Sequence, residues 1–294
     1  MTTHTLISRI KNNEHLVSDG ATGSNLIARG LPNGMTAEAW VLDQPDQIIK
    51  LHTDFISAGA DIILTSTFGA SSIRLKGSRL EGKAVQINQR AVELAHAATQ
   101  GTHTYTAGSL GPVGQLVKPY GPLNVDEVQE AYAQQARAIT EAGADLLVIE
   151  TQFDMGEIKA AIDGVRSVSE LPLVVSLSYD RGVRTMMGIS PTQAGKELEL
   201  LPVDIIGINC GRSLSENLQN LIELRQITSK PIWFKPNAGL PHIDSQGNTT
   251  YETSPEAMGE QVHSWLDAGA QIVGGCCGTS PDHLKQISRY VHSN

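Results

Sequence analysis

Short apolar runs recur along the chain, each following a helical stretch, and three of these junctions share one phrase. It reads Ser57-Ala-Gly-Ala-Asp61, Glu141-Ala-Gly-Ala-Asp145 and Asp267-Ala-Gly-Ala-Gln271. In each, helical periodicity stops at a glycine suited to a left-handed C-cap, and an apolar run begins at once. The runs that follow, Ile62 to Thr65, Leu146 to Ile149 and Ile272 to Val273, are continuous rather than alternating. That pattern suits parallel strands covered on both faces. The same grammar predicts strands at Leu16 to Val17, Tyr105 to Ala107, Leu173 to Leu177, Ile205 to Ile208 and Pro231 to Phe234. Helices are expected between them, among others over Ala84 to Ala98 and Asn124 to Ala142, with a closing helix over Pro281 to Val291. Eight strands alternating with helices predict an α/β fold, a single (β/α)8 TIM barrel, whose closure leaves no edge strand. A doubly wound open sheet is the alternative, but its phosphate-binding glycine loop is missing near the first strand. With 294 residues and no linker-like segment, residues 1–294 read as one barrel domain.

Composition narrows the partners. Hydrophobic residues make up 40% of the chain and aromatics only 4%, which describes a soluble core of Ala, Ile, Leu and Val. The net charge of −9 argues against nucleic acid or an anionic membrane as partner, since both demand a basic surface. No apolar stretch near the N-terminus is long enough for a signal peptide, and none approaches the roughly 20 residues of a membrane span. Unpaired cysteines and no export signal together predict the cytoplasm.

All three cysteines fall into two motifs, Gly207-Ile-Asn-Cys210 and Gly274-Gly-Cys-Cys-Gly-Thr279, and each motif ends an apolar run. Three thiols cannot all pair as disulfides, whereas three thiolates with one open position make a catalytic kind of zinc site. The unusual residues, from Asp19 after the first strand to Glu150 after the fourth, likewise cluster at C-terminal strand ends, where barrel enzymes keep their active sites. Strands six and eight contribute to the same interior layer, so Cys210 is expected to meet Cys276 and Cys277. Adjacent residues on a regular strand face opposite ways, so Gly274, Gly275 and Gly278 are expected to supply the backbone freedom that turns both sulfurs inward. Cysteines packing as small hydrophobes compete with this reading. So does a vicinal redox dithiol, which leaves Cys210 unexplained. Given a metal, thiolate softness favours zinc over magnesium or calcium. Three thiolates overcompensate a dication, so such a site suits holding a further thiol as thiolate better than activating water. Alkylation of a substrate thiol is the expected chemistry, with the chain's own cysteines as ligands.

Taken together, Asp19-Gly-Ala-Thr-Gly23, Thr65-Ser-Thr-Phe-Gly-Ala70, Ile149-Glu-Thr151, Gly207-Ile-Asn-Cys210, Pro236-Asn-Ala-Gly239 and the Gly274 to Thr279 motif resemble the homocysteine S-methyltransferase family. The resemblance is nearest to the homocysteine-binding module of cobalamin-dependent methionine synthase and spans nearly the whole chain. It implies a zinc barrel enzyme that moves a methyl group to the thiol of homocysteine, forming methionine. By resemblance Cys210, Cys276 and Cys277 bind zinc and act through it, and Asn237 is a displaceable fourth ligand. Asp19 and Glu150 hold the homocysteine ammonium, and the backbone amides of Gly20 and Ala21 face its carboxylate. Ser66 stands where the family more often has asparagine. The folate-binding and corrinoid-binding modules of full methionine synthase are not found in this sequence, so the donor does not carry over with the acceptor. The expected donor is either a methyl-corrinoid protein acting in trans, with cobalamin on that partner, or a small onium or methylated compound. The form of the second cysteine motif leans toward the corrinoid route.

Other readings compete. One is a non-catalytic zinc- or homocysteine-binding subunit. Another is a Schiff-base lyase using Lys235, which shares the inward face of its strand with Asn237. The nine histidines show no metal-binding helix pattern. Thr279 to His283 reads as a helix start, with Ser280 as N-cap and Pro281 at the first position. Gly108 to Pro122, rich in glycine and proline without a phosphate loop's Lys-Ser/Thr ending, reads as a shaped active-site loop.

Overall fold

The computed structural model describes residues 5–32, 34–243 and 249–292; the remainder of the expected 1–294 domain lies outside the described residues. The strands are β1 (Leu16–Val17), β2 (Ile62–Leu64), β3 (Tyr105–Leu110), β4 (Leu146–Gln152), β5 (Leu173–Leu177), β6 (Ile205–Cys210), β7 (Ile232–Pro236), β8 (Pro241–Ile243), β9 (Thr249–Tyr251) and β10 (Ile272–Val273). Eight of them form one parallel sheet in the order β1-β10-β7-β6-β5-β4-β3-β2. A parallel bridge between Ser18 and Ile62 joins the two outer strands, and the Asp19 N–H donates to the Ile62 carbonyl at 2.9 Å. The sheet closes on itself as a TIM barrel with helices around it.

All eight expected barrel strands are present. β3, β4 and β6 run two or three residues beyond their apolar segments, because their polar ends continue the ladder up to the barrel mouth. The hairpin β8–β9, antiparallel, was not expected: Pro241, His242 and Ile243 are exposed, so no buried apolar pattern announces it. The expected helices appear as Ala84–Thr99, Val125–Glu141 and Pro281–His292. The second opens on a capping box, with Asn124 and Glu127 satisfying each other's backbone N–H. At the last, the Ser280 hydroxyl pairs with the His283 ring, 2.9 Å from Nδ1.

Alternation divides the apolar residues between two cores. Leu16, Ile62, Leu64, Ala107, Leu146, Val148, Val174, Ile205, Trp233 and Ile272 fill the barrel interior, and Leu6 and Ile10 of a short helix (Leu6–Lys11) join them. Ile63, Leu147, Ile149, Val175, Ile206, Ile208 and Phe234 face the helices instead. The inward register therefore carries on, two residues at a time, into Ser109, Glu150, Asn209 and Lys235. Among the described residues, no helix is long and apolar enough to cross a membrane.

Candidate active site

Cys210 is out of phase with that register. Ile205 points inward and Ile206 and Ile208 outward, so alternation would send Cys210 toward the helices. It reaches the mouth because its φ of 58° and the 77° of Gly211 turn the chain in the left-handed region. The Asn217 side chain fixes that turn, donating to the Cys210 carbonyl at 2.6 Å; a Cβ on Gly211 would stand 2.3 Å from the same side chain. Strand order thus brings Cys210 into the right neighbourhood, and the local backbone aims it.

The second motif leaves its strand earlier. β10 ends at Val273, and the Cys276 N–H then donates to the Pro236 carbonyl at 2.9 Å. The turn is closed by Thr279, whose hydroxyl donates to the Cys276 carbonyl at 2.6 Å. Only Gly278, at φ 81°, supplies the expected backbone freedom. Gly274 and Gly275 supply room instead: a Cβ would lie 2.5 Å from the Ser18 carbonyl at the first and 2.3 Å from Thr279 at the second.

These two turns bring the three sulfurs within 4.8 Å of one another, with Cys210 and Cys276 at 2.9 Å. A tetrahedral zinc with bonds of about 2.3 Å spaces its sulfurs about 3.8 Å apart, so the donor set fits. The electrostatics agree. Hydrogen bonds with Cys276 and Cys277, then burial, push the Cys210 thiol well up, whereas accepting such bonds brings Cys277 down to about 4. Three thiols this close cannot all ionise without a cation among them.

Two asparagines support the cluster. Asn237, the expected displaceable ligand, joins the two cysteine motifs: its Oδ1 accepts from the Cys277 N–H at 2.9 Å, and its Nδ2 donates to the Gly211 carbonyl at 2.8 Å. Asn209 was missed in the sequence, although it sits inside a quoted motif and in the inward register. Its Nδ2 lies 3.5 Å from the Cys210 sulfur and 3.8 Å from that of Cys276. Ser176 Oγ and the Thr151 N–H both donate to its Oδ1, at 2.7 and 2.9 Å.

Beneath the sulfurs lie the two expected acids and Lys235. Asp19 Oδ1 meets Lys235 Nζ at 2.7 Å, and its Oδ2 accepts the Leu64 N–H at 2.8 Å; both side chains are almost fully buried. Burial alone would pull the lysine's pKa down, but the carboxylates of Asp19 and Glu150 outweigh it, so the pKa is raised and the group stays an ammonium. A Schiff base needs a neutral amine, so this pairing opposes the lyase reading. Glu150 accepts a hydrogen bond from the Ser109 hydroxyl. Its carboxyl is pushed up to about 7, chiefly by burial. The Asp19 loop is latched to the cysteine turn: the Ala21 N–H, expected to face a substrate carboxylate, instead donates to the Thr279 carbonyl and Oγ1, both at 3.1 Å.

The pattern of the homocysteine S-methyltransferase family matches residues 16–291. The chain belongs to the homocysteine S-methyltransferase family. Methionine synthase of Mycobacterium leprae is 29% identical over 94% of this chain, and that of Mycobacterium tuberculosis 28% over the same share. The chain spans 24% of the length of each of these relatives. Among solved structures, the metallated form of the homocysteine methyltransferase MmuM from Escherichia coli superposes with a TM-score of 0.82 at 24% identity, covering 96% of this chain and 98% of that one. At that identity the likeness speaks for the fold.

Three further features shape the surroundings of the mouth. Ser66 is buried in the inward register of β2, and its hydroxyl has no hydrogen-bond partner among the described residues. The Tyr251 ring, at the end of the hairpin, packs against the cysteine turn so closely that a Cβ on Gly278 would stand 2.3 Å from it. Nothing in the sequence pattern signalled that contact. The loop after β3 is anchored at its start by buried Glu157, which accepts from the Val113 N–H at 2.7 Å and from Tyr132 at 2.9 Å, while Tyr120 further along is exposed.

Proposed function

We propose that the protein is a zinc-dependent methyltransferase that moves a methyl group to the thiol of homocysteine, forming methionine. The observation that carries this reading is the meeting of three thiols at the barrel mouth, directly above a buried acid–lysine group, in a chain of this family. Cys210, Cys276 and Cys277 would hold the zinc, and Asn237, whose oxygen already faces the Cys277 amide, would lend its carbonyl until substrate arrives. The metal would supply the charge that keeps a substrate thiol ionised at neutral pH.

The chain's own residues account for the rest. Asp19 and Lys235 balance each other, so an ionised Glu150 leaves the group one negative charge, and an arriving substrate ammonium favours that ionised form. The amide of Gly20 takes the substrate carboxylate, and Ala21 steadies that loop through Thr279. Asn209 directs its amide at the sulfurs and limits how basic they become. Holding acceptor and donor close to contact supplies much of the rate in such a displacement. The donor is a methyl-corrinoid protein in trans or a small onium compound, and the cytoplasm is the compartment we assign.

The test is incubation of the zinc-loaded protein with homocysteine and a panel of donors, namely S-methylmethionine, a betaine and methylcobalamin. The expected result is methionine, seen by mass spectrometry, with at least one of them. Bound zinc with no methionine from any donor would favour the non-catalytic binding subunit.

A further inference from the structure

We propose that Lys235 divides the work of the two acids: it holds Asp19 in an internal ion pair, so that Glu150 alone receives the substrate ammonium. This deepens, and rests on, the reading of the pocket as a homocysteine site.

The hydrogen-bond inventory separates the acids. Both Asp19 oxygens are already engaged inside the protein, one on Lys235 at 2.7 Å and the other on the Leu64 N–H at 2.8 Å. Its side chain is only 1% exposed, so drawing it toward a substrate would strand a buried ammonium or a buried amide. Glu150 differs on both counts. One of its oxygens accepts from Ser109, and the other has no hydrogen-bond partner among the described residues. It is also the more open of the two, at 8%.

Lys235 is built to stay where it is. It follows Trp233 in the inward register of β7, and its Nζ lies 5.6 Å from the centre of that indole ring, which supports the cation from below. To reach Asp19 it spans β10, which lies between β7 and β1. The inward position of β10 at that height is Gly274, where a Cβ would stand 2.5 Å from the Ser18 carbonyl and 2.9 Å from that of Asp19. The strand between them therefore places no side chain in the way. Lys235 is a positioning residue: it balances the charge of Asp19 and fixes which carboxylate faces the substrate.

The experiment compares dissociation constants of homocysteine and its deaminated analogue, mercaptobutanoate, on the zinc-loaded protein. A purely structural defect weakens both thiols alike, so the ratio of the two reads the ammonium contact. For the unsubstituted protein a charge-assisted bond predicts a preference for homocysteine of about tenfold or more. Glu150→Gln is expected to bring the ratio to about one. The double variant Asp19→Asn with Lys235→Met, which removes the pair without stranding a charge, is expected to keep it within about threefold. Loss of the ratio in the double variant, or its survival in Glu150→Gln, would overturn the assignment. If the double variant does not fold, the Glu150→Gln ratio decides alone. Failure of the unsubstituted protein to bind either thiol would instead remove the homocysteine reading itself, and this assignment with it.

Discussion

The two ends of the barrel both place acids beside cations, and they do so to opposite effect. At the base, Asp61 closes a balanced group. One oxygen takes Arg9 at 3.1 Å, the other takes the Val17 N–H at 2.9 Å and His292 Nε2 at 3.1 Å, and Arg9 also contacts Glu14. At the mouth, Asp19 and Lys235 pair at 2.7 Å, yet Glu150 and three clustered thiols remain around them without matching cations. The base ties the first helix, β1 and the last helix together. The mouth keeps a surplus of negative charge and ligand atoms, together with left-handed backbone at Thr151 and Cys210, whereas at the base that region is taken by Asn13, a residue type that tolerates it. Strain and unspent charge collect where a ligand is to be received, while the other end is neutralised and serves stability.

The sharpest way to break this contrast is to remove a sulfur. Cys277→Ser is expected to lose stoichiometric zinc and methionine formation together, as read by metal analysis and mass spectrometry, while the circular dichroism spectrum is kept. Retention of full zinc and thiol binding would rule out the three-thiolate site. Asn209→Ala should act less severely through the same sulfurs, lowering zinc affinity by about 10- to 100-fold in chelator competition. It also strands Thr151 and Ser176, so a stability loss of about 1–3 kcal/mol by urea unfolding is expected alongside. Asp61→Asn addresses the other end. It should cost a comparable amount of stability and leave the KM for homocysteine unchanged, because its partners Arg9, Val17 and His292 are not among the side chains of the mouth. A changed KM would show that the two ends are coupled.

How much of this was legible in the sequence follows from how local each cause is. The barrel was legible because each parallel strand is a continuous apolar run introduced by its own helix cap, as at Gly59, Gly143 and Gly269, all with positive φ. The meeting of the cysteines was legible from their strand ends. The means was not: Cys210 turns inward through its own φ and Gly211, and a two-residue periodicity carries no information about where it breaks. Gly211 directly after the cysteine was the available hint. The Asp19–Lys235 pair joins positions 216 apart in the chain, and its existence depends on strand register across β10, which no local pattern encodes. The hairpin β8–β9 escaped for the opposite reason: Pro241, His242 and Ile243 are exposed, and the packed Tyr251 ring alone makes no alternating pattern.

The mildest test concerns His292 and turns on sign. Its hydrogen bond to Asp61 raises its pKa above 6.5, burial opposing, and the Asp61 charge adds to the effect. A histidine whose pKa is higher folded than unfolded binds its proton more tightly when folded, so it contributes stability while protonated. That contribution is complete below the unfolded pKa near 6.5 and fades as pH rises through the raised folded value. Asp61 stays ionised across this window, because its hydrogen bonds to His292 and Val17 and its charge contacts with Arg9 and His292 hold its pKa down despite burial. His292→Gln is therefore expected to lower Tm at pH 6 and to leave it close to that of the unsubstituted protein at pH 9. The ring is 43% exposed, so the difference at pH 6 should be small and should shrink with added salt. A Tm gap that is flat with pH, or that widens toward pH 9, would mean that the base is held by packing of the last helix, with no share from this charge pair.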